Sequence, residues 1–321
     1  MCGIAGFSHT TDITRRMAPH LLWDIESRGK DSWGATDGLD IVRVLGPVTN
    51  TYVDNRDIIE GWERTIFHTR GASTGEVTVE NQHPFYFVEG EENTPGWKRS
   101  IMGIHNGIVN NHSELNRKYS RNFSVDSMHI FKHLVERRSV TELTGWGNLA
   151  WYEFTPKTPE GILHLCRFNA DALHIAKLDS GELVFCSFAE SITRAARMAG
   201  TSVKKFFHTD QEYVYTFIHV DNEWQVFKSH KKLTFGGRTA VYGGNQNESW
   251  TAWENRNRGR NSSYAQNFTT RRMEDVGKNI CAVSGCTGVV EHSRKTSLIC
   301  KECLVKVRVS IGMLDIPVVV G

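Results

Sequence analysis

Short apolar runs separated by polar turns fill most of the first two thirds of the chain. Such runs favour β-strands, and they occupy residues 2–7, 65–69, 101–105, 162–166, 173–177, 183–187 and 213–219. Apolar residues at helical spacing predict α-helices, and they occupy residues 13–26, 127–136 and 190–198. Ser124 or Asp126 stands where a cap would begin the second of these helices. Many strands with a few helices between them predict sheets that are covered by helices.

The composition of the chain changes near residue 235. Residues 243–272 are rich in Asn, Gly, Ser and Arg with weak apolar periodicity, which is typical of a linker. From residue 228 onward there are 15 Lys and Arg against 7 Asp and Glu, whereas the preceding residues hold 23 and 29. The sequence therefore predicts three segments, namely a large domain over 2–235, a polar basic linker over 236–275 and a small tail over 276–321.

Four of the seven cysteines lie in the tail, as the pair Cys281 and Cys286 and the pair Cys300 and Cys303. Four thiolates in two close pairs match the tetrahedral ligand set of structural zinc. A segment this short has little core of its own, so a metal would supply its folding energy. We expect zinc there, with reduced cysteines that bind no metal as the alternative. The basic linker and tail indicate contact with nucleic acid or an acidic partner, or else a solvated basic arm.

The composition as a whole is that of a soluble globular protein, with 39% hydrophobic and 23% charged residues. The chain has no run of 18 apolar residues, so we expect no membrane span. Its N-terminus lacks the apolar segment of a signal peptide. A cytoplasmic protein with reduced cysteines is therefore expected.

The first residue with evident chemistry is Cys2. Removal of Met1 would leave a cysteine that carries both a thiol and a free α-amine. Because the pKa values of these groups lie near about 8.5 and about 8, the amine can take the proton of the thiol at little cost. The alternative is an ordinary small residue in a buried first strand.

Arg70 lies where a predicted strand ends, and small residues that include Ser73 and Thr74 follow it. Backbone of this kind can approach a ligand closely, and a guanidinium can hold a carboxylate through two parallel hydrogen bonds. The alternative is an arginine that faces solvent at a strand end. The polar stretch that contains Arg28 and Asp31 predicts, by itself, only a surface turn.

The dipeptide Asn106-Gly107 lies between apolar runs and is a strong signal for a hairpin turn. The same dipeptide supplies a side-chain amide beside an unhindered backbone N–H, and an oxyanion hole needs two such donors. Asp126 precedes a predicted helix, where its carboxylate would either cap the helix or bind an ammonium group of a substrate.

Five motifs in chain order carry a resemblance to a known family. They are MCGIAGF, RGKDS, HTRGASTG with NQHPF, HNGIVNNHSEL, and Asp126-Ser127 before a helix. Together they resemble the class II glutamine amidotransferase domain, which belongs to the N-terminal nucleophile hydrolases, and the resemblance extends over residues 2–228. The resemblance implies an α+β fold, a four-layer αββα sandwich of two antiparallel sheets.

The resemblance also implies a reaction that needs no cofactor. Cys2 would attack the side-chain amide of L-glutamine with its own α-amine as the general base, while Asn106 and Gly107 hold the oxyanion. A γ-glutamyl thioester would form as ammonia leaves, and water would then release glutamate.

The resemblance further implies how the substrate is held. Arg70 would bind the α-carboxylate of glutamine and Asp126 its α-ammonium, and Ser73 and Thr74 would add contacts. Three residues would support the site, namely Arg28, Asp31 and His83.

About 90 residues follow the region of resemblance, too few for the synthase domains to which this domain is fused in familiar members of the family. We therefore expect a stand-alone domain that passes ammonia to a separate synthetase. Two alternatives remain open. One is a hydrolase of γ-glutamyl amides or peptides that needs no partner, and the other is a catalytically silent relative that binds nucleic acid or protein.

Overall fold

The computed structural model describes residues 2–73, 75–90, 99–220 and 223–236. The linker predicted over 236–275 therefore lies, except for its first residue, outside the described part of the chain. The predicted tail and its four cysteines also lie outside it, as does Thr74. The proposed zinc site and the division of the chain beyond residue 236 accordingly stay predictions.

Thirteen strands form most of the regular structure in the described part of the chain. In chain order they are β1 (Gly3–Phe7), β2 (Ser32–Thr36), β3 (Ile41–Leu45), β4 (Thr65–Arg70), β5 (Phe85–Val88), β6 (Ser100–Val109), β7 (Gly145–Thr155), β8 (Thr158–Phe168), β9 (His174–Leu178), β10 (Leu183–Cys186), β11 (Val203–His208), β12 (Tyr213–Val220) and β13 (Glu223–Lys232). The first sheet has the order β11-β9-β10-β1-β4-β2-β3, and the second has the order β13-β12-β8-β7-β6-β5. All pairs of neighbouring strands are antiparallel, which confirms the prediction of two antiparallel sheets.

Five α-helices accompany the sheets in the described residues. They are α1 (Asp12–Glu26), α2 (Val48–Glu60), α3 (His112–Lys118), α4 (Met128–Val135) and α5 (Ala189–Met198). Helix α1 begins with a capping box, in which the side chains of Thr11 and Thr14 accept hydrogen bonds from each other's backbone N–H groups. Helices α1, α2 and α5 pack on the first sheet, and α3 and α4 pack on the second.

Three apolar clusters separate the layers of helices and sheets. Successive residues of a strand point to opposite faces, so Ile66 lies in the cluster between the two sheets while Phe67 lies in the cluster under helices α1, α2 and α5. A third cluster joins the outer face of the second sheet to α3 and α4. The layers therefore follow the order helices, sheet, sheet, helices.

The start of the chain lies at the centre of the first sheet. Strand β1 pairs with β10 on one side and with β4 on the other. The backbone N–H of Ile4 donates to the hydroxyl of Ser187 at 3.0 Å. A Cβ on Gly3 would lie 2.6 Å from the Cβ of Ile25 and 2.8 Å from Oγ1 of Thr69, so only glycine fits between α1 and β4. This packing fixes the position of Cys2, the residue that precedes β1.

The predicted hairpin turn at Asn106-Gly107 is wrong. Both residues lie inside β6, where they pair with Asn148 and Gly147 of β7. Neither adopts the positive φ that a tight hairpin would require of this dipeptide. The apolar residues on both sides of the dipeptide continue one long strand, and pairing along its whole length outweighs the local turn preference.

Several buried histidines predict a stability that depends on pH. Burial lowers the pKa of His68 to about 3 and the pKa values of His105 and His164 to about 4. Since an unfolded imidazole has a pKa of about 6.5, the unfolded chain binds more protons between these values. We expect the free energy of unfolding to fall as the pH drops below about 6.5, by about 1.4 kcal/mol per pH unit for each such histidine.

Urea unfolding followed by circular dichroism at a series of pH values checks this prediction. A free energy of unfolding that stays constant between about pH 7 and pH 5 would show that these imidazoles carry a charge in the folded protein.

Candidate functional site

A cavity lies where the start of β1 and the end of β4 meet β6 and the residues before α4. Its wall is formed by Cys2, Arg70, Gly71, Ser73, His83, His105, Gly107, Val125, Asp126 and Ser127. Six of these residues were singled out as site residues from the sequence. The other four, Gly71, His105, Val125 and Ser127, were not, although each is adjacent in sequence to a residue that was. Asn106, Arg28 and Asp31 do not form part of the cavity wall.

The thiol of Cys2 is half-buried and donates a long hydrogen bond to the carbonyl oxygen of Gly71, with a distance of 3.9 Å from sulfur to oxygen. Burial raises the pKa of this thiol. Only a thiolate is a strong nucleophile, so Cys2 needs a nearby base in order to react at neutral pH. Burial raises the pKa values of Cys166 and Cys186 to about 12, and their thiols are inert by comparison.

The guanidinium of Arg70 is buried at the end of β4, with 3% of the residue exposed. Nη1 donates to the carbonyl of Glu76 at 3.1 Å, and Nη2 donates to the carbonyl of Gly75 at 3.5 Å. Burial lowers the pKa of Arg70, while the nearby thiol and carboxylates raise it. The alternative of a solvent-facing arginine is therefore wrong, and the cavity contains a buried positive charge.

The carboxylate of Asp126 is also buried, with 4% of the residue exposed. Its Oδ2 accepts a hydrogen bond from the backbone N–H of Val109 at 2.6 Å. Helix α4 has Ser127 as its N-cap without a side-chain capping bond, so the predicted capping role of Asp126 or Ser124 is wrong. Strand β6 supplies the donor to Asp126, and the hydroxyl of Ser124 instead donates to Oδ1 of Asn81.

Gly107 and Asn106 differ in their position relative to the cavity. Gly107 forms part of the wall, and a Cβ at this position would lie 2.0 Å from the carbonyl oxygen of Trp146. Asn106 is 2% exposed, and its Oδ1 has no hydrogen-bond partner among the described residues. The amide of Asn106 carries donors as well as an acceptor.

Asp31 and Arg28 stabilise the surroundings of the cavity. Oδ2 of Asp31 accepts from the backbone N–H of Ala72 at 2.7 Å, and its own N–H donates to the carbonyl of Arg70 at 3.0 Å. These hydrogen bonds hold the segment that follows β4 in place, and this segment includes Ser73 of the cavity wall. The guanidinium of Arg28 lies 5.3 Å from the ring centroid of Phe188, a cation–π contact.

His83 is a buried imidazole in the cavity wall, with 3% of the residue exposed. Its ring lies 4.2 Å from that of His68 and 4.5 Å from that of Phe85, measured between centroids. Burial lowers its pKa well below the ordinary value, so the ring is neutral at pH 7. Neither ring nitrogen has a hydrogen-bond partner among the described residues, and both nitrogens are buried.

No group of three or more His, Cys, Asp or Glu side chains in the described part of the chain is arranged to hold a metal ion. Of the helices that the structure describes, none combines the length and the apolar character needed to cross a membrane.

Comparison with known proteins identifies relatives but no matching family model. A probable glutamine–fructose-6-phosphate aminotransferase of Acanthamoeba polyphaga mimivirus is 25% identical over 252 residues, which cover 72% of this chain and 39% of the relative. The corresponding enzyme of Halobacterium salinarum is 34% identical over 119 residues, which cover 36% of this chain and 18% of the relative. The matches thus span less than half the length of these relatives.

A solved structure confirms the fold. The allosteric regulatory enzyme of purine biosynthesis superposes with a TM-score of 0.50 and 18% identity, over 73% of this chain and 49% of that one. These relatives are glutamine amidotransferases, the class of enzyme that the five motifs of this chain resemble.

Proposed function

We propose that this protein hydrolyses the side-chain amide of L-glutamine and releases ammonia and then glutamate. The observation that carries the proposal is the content of one cavity, in which the thiol of Cys2, the buried guanidinium of Arg70 and the buried carboxylate of Asp126 come together. A free amino acid carries one carboxylate and one ammonium group. A fixed charge of each sign beside a nucleophile matches such a substrate.

Arg70 and Asp126 select the substrate in this proposal. The guanidinium exchanges its bonds to the carbonyls of Gly75 and Glu76 for a charge-assisted pair with the α-carboxylate. Oδ2 of Asp126 accepts a hydrogen bond from the backbone N–H of Val109. The other carboxylate oxygen of Asp126 accepts from the α-ammonium of the substrate. Ser73, on the same wall, and Thr74 add polar contacts.

The chemical step begins after Met1 is removed. The α-amine of Cys2 takes the thiol proton, and the sulfur attacks the amide carbon of glutamine to form a C–S bond. Asn106, through its side chain, and Gly107, through its N–H, hold the negative oxygen of the tetrahedral intermediate. The ammonium of Cys2 then protonates the departing nitrogen, the C–N bond breaks, and ammonia leaves a γ-glutamyl thioester.

Water completes the cycle by attacking the thioester, and the α-amine accepts its proton while the C–S bond breaks. His83 supports the site as a neutral imidazole that forms part of the cavity wall. The relatives are named for transfer to fructose-6-phosphate, but they are matched over only part of their length. We propose that the ammonia of this chain passes to a separate synthetase.

Substrate specificity tests the proposal. We expect the processed protein to hydrolyse L-glutamine, and expect N-acetyl-L-glutamine and the α-methyl ester of L-glutamine to lose roughly 100-fold in kcat/KM, because each leaves one buried charge unpaired. Glutamate and ammonia are measured with each substrate.

The same assay decides between the alternatives. Faster turnover of γ-glutamyl peptides than of glutamine would favour a partner-independent hydrolase. Absence of turnover in protein that has lost Met1 would favour a catalytically silent binder.

A further inference from the structure

A series of hydrogen-bonded residues runs from the interior of the molecule to the cavity wall, which includes His105 and Ser127. It consists of Ser32, Gln82, His68, His105 and Ser127, which we call the histidine relay. Oγ of Ser32 donates to Oε1 of Gln82 at 2.6 Å, and Nε2 of Gln82 lies 3.4 Å from Nδ1 of His68. Nε2 of His68 lies 3.0 Å from the carbonyl oxygen of His105, and Nδ1 of His105 lies 2.8 Å from Oγ of Ser127. None of the five residues is more than 3% exposed.

The proton positions in the first part of the relay follow from its chemistry. A carbonyl oxygen only accepts, so the carbonyl of His105 requires the proton of His68 to be on Nε2. Nδ1 of His68 is then an acceptor, and Gln82 must turn its NH₂ group toward it. The amide oxygen of Gln82 is left to accept from the hydroxyl of Ser32. All three bonds are satisfied by one arrangement of a neutral His68.

The relay joins the two sheets of the sandwich. Ser32 and His68 belong to β2 and β4 of the first sheet, and His105 belongs to β6 of the second. The rest of the space between the sheets is filled by apolar side chains such as Ile66 and Ile104. Apolar contacts are not directional, whereas hydrogen bonds have a narrow range of length and angle. The relay therefore fixes how β4 and β6 are placed relative to each other.

Each histidine of the relay, and its terminal serine, lies next to a group of the proposed site. His68 is two residues before Arg70 and points to the same face of β4. His105 directly precedes Asn106, and Ser127 directly follows Asp126. The bond between His105 and Ser127 thus ties the strand that carries the proposed oxyanion donors to the residue beside the proposed ammonium ligand.

We infer that the histidine relay positions Arg70, Asn106 and Asp126 relative to one another, and that His68, His105 and Ser127 are positioning residues for the reaction. This inference rests on the proposed glutamine hydrolysis. A buried polar group without a hydrogen-bond partner costs free energy, and of the side-chain nitrogen and oxygen atoms of the relay only Nε2 of His105 lacks a partner among the described residues. The relay places this network beside the groups whose spacing the reaction needs.

Removal of one hydroxyl tests the inference with a matched control. Ser127→Ala removes the hydroxyl bonded to Nδ1 of His105. Thr216→Val removes the hydroxyl that lies 2.9 Å from Nδ1 of His164, a pair of the same kind on β8 and β12, away from the cavity wall. We expect Ser127→Ala to lower kcat/KM for glutamine by about 10- to 100-fold, since small displacements of positioned groups have effects of this size. Thr216→Val is expected to stay within about threefold of wild type, and Ser127→Thr to recover most of the loss.

Nuclear magnetic resonance supplies a measurement that needs no turnover. In protein labelled with ¹⁵N-histidine, His68 should show the neutral tautomer protonated at Nε2. The resonances of the backbone N–H of Gly107 and the Nε–H of Arg70 should change their chemical shifts in Ser127→Ala. Both chemical shifts should be unchanged in Thr216→Val.

The outcomes separate the two proposals. If wild type does not hydrolyse glutamine while these resonances shift, the proposed function fails and the positioning by the relay stands. If wild type is active and Ser127→Ala loses no more activity than Thr216→Val, or if His68 is protonated at Nδ1, the relay inference is overturned.

Discussion

Cys2→Ala abolishes glutamine hydrolysis, with an expected loss of at least about 10⁴-fold in kcat. The substitution removes the sulfur that forms the thioester in the proposed reaction, and it leaves the substrate-binding charges in place. The folded protein should remain, because Cys2 precedes β1 and its sulfur makes one hydrogen bond, at 3.9 Å. The free energy of unfolding is expected to change by less than about 1 kcal/mol. Glutamate release and urea unfolding measure the two effects.

Cys166→Ala provides the matched control for this result. Cys166 is a buried free cysteine in β8, outside the cavity wall. Its replacement should reduce stability by leaving a small void and should leave glutamine hydrolysis near the wild-type rate. Activity that survives Cys2→Ala, or that is lost equally in both variants, would contradict the role of Cys2.

Asn106→Leu should lower kcat for glutamine by about 10²- to 10³-fold and change KM by less than about threefold. Leucine has nearly the same shape as asparagine but no donor, so the oxyanion loses one of its two hydrogen bonds at the moment when charge develops. The backbone pairing of Asn106 with Asn148 is retained in the variant. Steady-state kinetics of the purified variant give kcat and KM separately.

Asn148→Leu is the control for the Asn106 variant. Asn148 lies opposite on β7, is 6% exposed, and also has an Oδ1 without a partner among the described residues. Its NH₂ group donates to the carbonyl of Asp171 at 3.3 Å and has no part in the proposed reaction, so its replacement should have a smaller effect on kcat. A rise in KM with unchanged kcat in Asn106→Leu would show that Asn106 binds the ground state instead of the transition state.

The sequence predicts the strands whose apolar residues are long and regular enough to be seen locally. β1, β4 and β10 belong to this group, and α1 and α5 show helical spacing. Helix α2 escapes prediction because it buries few side chains, among them Val48, Tyr52 and Ile59. The edge strand β13 escapes it because polar side chains alternate or predominate along it.

The sequence alone predicts a residue of the site only where the type of side chain indicates its chemical role. Cys2, Arg70 and Asp126 are examples, because a terminal thiol, a guanidinium and a carboxylate each have a definite use. The relay is not predictable in this way. His68 and His105 are 37 residues apart and meet only because β4 and β6 face each other across the sandwich. Ser127 reaches His105 only because α4 packs on the second sheet.

The mass of the N-terminal peptide tests the central claim most directly. Protein quenched with acid during turnover of glutamine and then digested should yield a peptide that begins at Cys2, without Met1, and that carries a γ-glutamyl group on this cysteine. The same group should be missing from the peptides that contain Cys166 and Cys186, whose thiols are buried. Fully active protein that retains Met1, or a γ-glutamyl group on any residue other than Cys2, would contradict the claim that Cys2 and its own amine carry out the reaction.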